Sequence, residues 1–97
     1  MTAIRIDKFE RASQILKALS HPVRMAMMEM LIKDKQLNVT TIYEQLGIEQ
    51  AVASQHLAVL KKYGVLEVKK KGKNAYYYIR QPRLYKIIEL INKCELC

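Results

Sequence analysis

Between Gln50 and Ile79 the hydrophobic period of the chain switches from helix to strand, and Gly64 marks the switch. From Gln50 to Tyr63 the residues Ala53, His56, Leu57 and Leu60 recur on one helical stripe. After Gly64 come two short runs rich in β-branched and aromatic residues, Val65–Lys70 and Ala75–Arg80. Between them, Lys71-Gly72-Lys73-Asn74 has the glycine and asparagine that a tight turn needs. A half-polar helix feeding directly into a lysine-tipped hairpin leaves few folds open.

The segments upstream narrow them further. Phe9, Ala12, Ile15, Leu16 and Leu19 predict a helix over about 7–19. Ser20 is the expected cap of the next helix, with Pro22 in its first turn and an end near Lys33. That helix is apolar on most sides, which marks it as central and buried, and its methionines read as core filler rather than a soft-metal site. Leu37–Val39 reads as extended. Thr40 or Thr41 can cap a third helix, Ile42–Leu46, which Gly47 ends. Helices three and four are then separated by a turn of about three residues, as in a helix-turn-helix. Pro82 opens a last helix with Leu84, Ile87, Ile88, Ile91 and Cys94 on one stripe. The expected architecture is mainly α with a small β-hairpin (α+β): a winged helix-turn-helix of five helices and a two-stranded wing. Its 97 residues suffice for one domain, 1–97, with a core modest enough that pairing with a second copy would help.

Charge is unevenly placed. Residues 1–53 carry 7 basic and 6 acidic side chains, whereas residues 54–97 carry 10 and 3, so nearly all of the net +8 lies in the second half. The fourth helix has no acid between Gln50 and Gly64. Its outer face presents Ala51, Ser54, Gln55, Ala58 and Lys62, flanked by Gln50 and Lys61. Small residues let a helix sit deep in a major groove, glutamine can bond adenine at two points, and serine can reach a base or a phosphate. Lys69, Lys70, Lys71 and Lys73 can grip a phosphate ridge. His56, on the inner stripe, is expected to be satisfied by a nearby backbone group, with a proton switch as the rival reading. Strand alternation puts Tyr77 on the face opposite to Tyr76 and Tyr78, and the tyrosines are expected to pack the sheet on the helices and hydrogen-bond through their hydroxyls.

The runs LKALSHPVRMAMMEML, LNVTTIYEQLGIEQAVASQHLAVLKKYGVL and VKKKGKNAYYYI resemble the ArsR/SmtB-type bacterial transcriptional repressors over about residues 15–80. The resemblance implies a homodimer through the first and last helices, with Phe9, Ala12, Ile15, Leu16, Leu84, Ile87, Ile88 and Ile91 at the interface. It implies that two reading helices meet successive major grooves of a palindromic double-stranded operator. The DNA-binding set is Thr40, Thr41, Gln50, Ala51, Ser54, Gln55, Lys61, Lys71, Lys73 and Asn74. Where many members carry metal- or arsenic-sensing cysteines, this chain has Asn38 and Thr40, and its last helix offers only Glu89 and Glu95. No metal site of the usual kinds is therefore expected, nor any cofactor.

Cys94 and Cys97 form a C-x-x-C pair at the end of the chain. Three readings stand: a redox pair, two thiol ligands for a metal, or an incidental tail with Cys94 half-buried. So close a pair builds no disulfide framework. No apolar run approaches the ~20 residues of a membrane span, and the N-terminus lacks a signal-peptide pattern, so a reducing cytoplasmic setting is expected. No nucleophile motif or glycine-rich phosphate loop points to an enzyme. A winged-helix protein-interaction module is the alternative to a DNA-binding regulator, and exposed aromatics on the hairpin would be needed for a single-stranded RNA binder.

Overall fold

The computed structural model describes residues 3–96. Five helices run in the order α1 (Ile6–Leu19), α2 (Pro22–Asp34), α3 (Val39–Leu46), α4 (Gln50–Lys62) and α5 (Tyr85–Asn92). Three strands, β1 (Gln36–Asn38), β2 (Leu66–Lys71) and β3 (Asn74–Ile79), form one antiparallel sheet in the order β1-β3-β2. The expected two-stranded wing thus gains a third strand. Gln36, Leu37 and Asn38 pair with Tyr78, Tyr77 and Tyr76. Three residues are too few to show alternation, so β1 is stabilised by its long-range partner rather than by any local pattern. β2 and β3 form the hairpin, with Lys71 opposite Asn74 and Leu66 opposite Ile79.

The core is built where the helices and the root of the wing converge. Met27, Met28, Leu31, Ile42, Leu57, Leu60, Val65 and Leu66 are fully buried, joined by Ala53, Ala18, Leu19, Ile79 and Ile88. Two of the α2 methionines, Met27 and Met28, are therefore core packing, where flexible side chains fill irregular gaps.

Two helix starts differ from expectation. The α2 cap is His21, not Ser20: the His21 Nδ1 atom accepts from the Val23 N–H at 3.1 Å. Ser20 instead ends α1, donating its N–H to the Lys17 carbonyl. The α3 cap is Asn38, not Thr40 or Thr41, and its Oδ1 accepts from the Thr41 N–H at 2.8 Å. Asparagine reaches the third amide of the helix as readily as threonine does, and an earlier cap starts α3 at Val39. Pro82–Leu84 is a 3₁₀ turn rather than the first turn of the last helix, so α5 begins at Tyr85.

α1 stands partly away from the body. Only its last turn is buried, at Ala18 and Leu19, while Phe9 and Leu16 remain 54 % and 53 % exposed. The radius of gyration, 14.6 Å, exceeds the roughly 12.5 Å of a compact domain this long.

Candidate nucleic-acid interface

The turn between α3 and α4 is set by Gly47, which takes a left-handed φ of 65° and closes α3 by donating its N–H to the Glu44 and Tyr43 carbonyls. A side chain there would be strained by the backbone alone. Only Ile48 and Glu49 then separate Gly47 from the first residue of α4.

α4 divides as its periodicity requires. Ala53, Leu57 and Leu60 are buried, whereas Gln50, Ala51, Ser54, Gln55, Ala58, Lys61 and Lys62 are exposed. Glu49 precedes the helix without making a side-chain cap bond, so the first-turn amides point out unclaimed by a cap. Of the α3 candidates, Thr40 is exposed and Thr41 half-buried with its amide spent on the Asn38 cap. At the wing tip Lys71, Lys73 and Asn74 are exposed, as are Lys69 and Lys70.

The wing carries an arrangement that its sequence only hinted at. Tyr77 points to the helices and packs on the core, but Tyr76 and Tyr78 lie on the opposite face. The expectation that all three tyrosines pack the sheet on the helices is corrected accordingly. On that outer face the Lys69 Nζ atom sits 5.4 Å from the Tyr78 ring centroid, and the Lys71 Nζ atom 5.8 Å from that of Tyr76. Each lysine lies over the ring diagonal to it, so the aromatic row aligns the ammonium groups. Glu67, the acid of the hairpin, accepts the Tyr78 hydroxyl at 2.7 Å and pairs with Arg80 at 3.4 Å. That hydrogen bond to Glu67, with desolvation second, pushes the Tyr78 hydroxyl above the usual tyrosine range.

Behind α4 lies a cluster that ties the reading helix to two others. The Arg24 Nε–H donates to the His56 Nδ1 atom at 3.2 Å, and the Arg24 Nη1–H to the Ala18 carbonyl at 3.0 Å. The rings of His21 and His56 lie 4.4 Å apart. His56 is thus satisfied by a side chain, not by the backbone group expected. The cue was present in HPVR and in the inward His56, but no spacing rule links residues that far apart in the chain. Burial, followed by the His21 and Arg24 charges, lowers the His56 pKa below its ordinary 6.5. The unfolded chain therefore binds the proton more readily than the folded one, so stability is full above pH 6.5 and falls as pH drops toward the lowered value. His56→Asn keeps an acceptor where Nδ1 sits and removes the titration. Thermal midpoints recorded from about pH 7.5 to about pH 5 should slope less steeply for this variant than for the parent.

Most of the strongly exposed apolar residues lie on α1, before it and on α5, with Leu96 beyond the end of α5. Ile4, Ile6, Phe9 and Leu16 are all more than half exposed, as is Leu90. Ala12, Ile15, Leu84, Ile87 and Ile91 are half-buried, while Ile88 is spent inside the protomer. Ile4, Ile6 and Leu90 escaped the sequence reading because the first two precede or begin the helix and the third lies off the α5 stripe. Cys94 is exposed beyond the end of α5, not half-buried, because the helix stops at Asn92. Cys97 lies outside the described residues, so the pair has no geometry to weigh. Among the described residues no three or more histidine, cysteine or acidic side chains converge as a metal site would require. No helix among them is long and apolar enough to cross a membrane.

A family model described as a helix-turn-helix domain matches residues 19–69, more than half of the chain. An uncharacterised HTH-type transcriptional regulator of Methanocaldococcus jannaschii is 33% identical over 91% of this chain and 99% of its own. The transcriptional repressor PagR of Bacillus anthracis is 37% identical over 95% of this chain and 92% of its own. This chain belongs to the ArsR-type winged helix-turn-helix transcriptional regulators. The ArsR-type fold extends to solved structures. The PagR crystal structure superposes with a TM-score of 0.82 at 34% identity, covering 90% of this chain and 99% of that one. Reduced HlyU from Vibrio cholerae gives a TM-score of 0.81 at 28% identity, covering 90% of each.

Proposed function

We propose that this ArsR-type regulator is a homodimeric repressor that binds a palindromic operator in double-stranded DNA. The observation that carries the reading is the exposed, acid-free face of α4, which puts Gln50, Ala51, Ser54 and Gln55 at its N-terminal end and Lys61 in its last turn. That face suits a major groove, with Thr40 and Thr41 near the adjacent backbone and Lys71, Lys73 and Asn74 of the wing on flanking phosphates. α1, α5 and the 3₁₀ turn before α5 supply the pairing surface: Phe9, Ala12, Ile15, Leu16, Leu84, Ile87 and Ile91, extended by Ile6 and Leu90. A two-fold pair sets its reading helices about one duplex turn apart, and a palindrome matches that symmetry. The protein acts in the cytoplasm, needs no cofactor, and repression follows from occupying the operator.

Selection of bound duplexes from a random pool tests this reading. The expected result is an inverted repeat whose half-site centres lie one helical turn apart, or a multiple of it. Affinity for it should fall steeply with salt, because lysine–phosphate contacts release counterions. Enrichment of no motif above nonspecific binding would favour a winged-helix module that binds proteins instead.

A further inference from the structure

An open cleft of about 460 Å³ lies on the flank of α4, between the C-terminal halves of α1 and α4. Lys17, Arg24 and Lys62 line it, together with Gln14, Val59 and Tyr63. Among the described residues no carboxylate does: Glu10, one turn before Gln14 on α1, is not part of the wall. Three cationic residues therefore line one concavity whose walls, among the described residues, carry no acid to neutralise them.

The bland explanation is that these cations complement helix ends. Lys17 and Lys62 sit in the last turns of α1 and α4, where the dipole is negative. The balance goes against it. Each helix end carries about half a charge, so two ends offset roughly one cation of the three. The terminal carbonyls are moreover already occupied by backbone donors. Lys17 O accepts from Ser20 N, Val59 O from Tyr63 N, Leu60 O from Val65 N and Lys61 O from Gly64 N. Arg24 takes the Ala18 carbonyl. A surplus of about two positive charges is left facing the cleft.

Two of the three side chains are also restrained. Arg24 is fixed by its Nε and Nη1 bonds, and the Lys62 Nζ atom lies 5.6 Å from the Tyr63 ring centroid. A guanidinium clamped on one side, an ammonium group over an aromatic ring and a third on an exposed lysine make a suitable cradle for a tetrahedral oxyanion. The volume exceeds that of one phosphate and falls in the range of small-ligand sites.

We propose that this cleft is a phosphate-binding site, taking the phosphate of a small soluble ester. Arg24 links it to His56 on the inner side of the reading helix, and Lys62 belongs to that helix's outer face. Bound phosphate thus bears on the α1–α4 angle, and through it on the placement of the two reading helices. The binding itself stands independently of the operator reading; only this consequence rests on it.

The test is a titration of the free protein with inorganic pyrophosphate at constant ionic strength, followed by backbone amide shifts. Saturable shifts are expected around Gln14, Lys17, Val59 and Lys62. Lys17→Gln, at an exposed position, should weaken binding about 5- to 10-fold, the worth of one partly screened charge-assisted contact. Lys86→Gln, an equal charge change on α5, should leave it unaltered. No saturation with pyrophosphate, but a shallower salt dependence of duplex binding in both Lys17→Gln and Lys62→Gln, would assign the same site to a phosphate of the DNA backbone. Neither effect would overturn the proposal and return the three cations to helix capping.

Discussion

Leu16→Glu combined with Phe9→Glu is expected to leave the protein folded, make it monomeric, and lower its affinity for a palindromic duplex at least about 100-fold. Both side chains are more than half exposed in the protomer, so neither is needed for the core. In a two-fold interface each substitution acts twice. Burying such side chains contributes about 1.5–3 kcal/mol each when fully desolvated. Half of that per copy, over four residues, is about 3–6 kcal/mol, a large share of the roughly 8 kcal/mol that holds a micromolar dimer together. The added carboxylates raise the cost, because pairing would strip them of water.

The affinity loss follows from linkage. A dimer engages its second half-site at the high local concentration set by the first, and such coupling amounts to about 10²–10⁴ in affinity. Monomers forgo that gain even though each still grips its half-site as before. Sedimentation equilibrium and duplex titration check the two parts separately. A double variant that sediments as a dimer, or a parent that is monomeric at micromolar concentration, would remove α1 from the interface.

What the sequence disclosed and what it withheld follow a physical divide. α4 was readable to its last turn, because its stripe and Gly64 are both local signals: the helix ends at Lys62, one residue short of Tyr63. The hairpin was readable because its turn chemistry is local too. β1 was read as extended but not as a strand, since its partner lies about forty residues on and its three residues encode no register. The caps at His21 and Asn38 were assigned to neighbours, for several polar side chains in a row can serve and only backbone geometry chooses among them. The Arg24–His56 bond and the cleft beside it needed three helices in place before they existed. Alternation alone separates Tyr77 from Tyr76 and Tyr78, and it prevails over the tendency of aromatic side chains to pack against a core.

The second large effect separates base reading from phosphate grip. Gln55→Ala removes from the exposed face of α4 a side chain able to bond a base edge at two points. The expected loss is about 1–3 kcal/mol per half-site for the preferred base, with other bases at that position bound nearly as before. Discrimination at one symmetric pair of positions should therefore collapse while the rest of the motif survives. Lys71→Ala should act in the opposite manner. Its ammonium lies over the Tyr76 ring at the exposed wing tip, where no base edge need be read. Binding to every duplex should weaken by a similar factor, and the slope of log affinity against log salt should shrink by about one for each phosphate left without its ammonium partner. Base-substituted duplexes titrated at several salt concentrations give both quantities from one set of measurements. If Gln55→Ala weakened all sequences alike and Lys71→Ala altered the preferred base, the groove-facing and phosphate-facing elements would have to be exchanged. The reason would lie in the outer face of β2 and β3, where Tyr76 and Tyr78 already hold their lysines in a row and could present them to a minor groove instead.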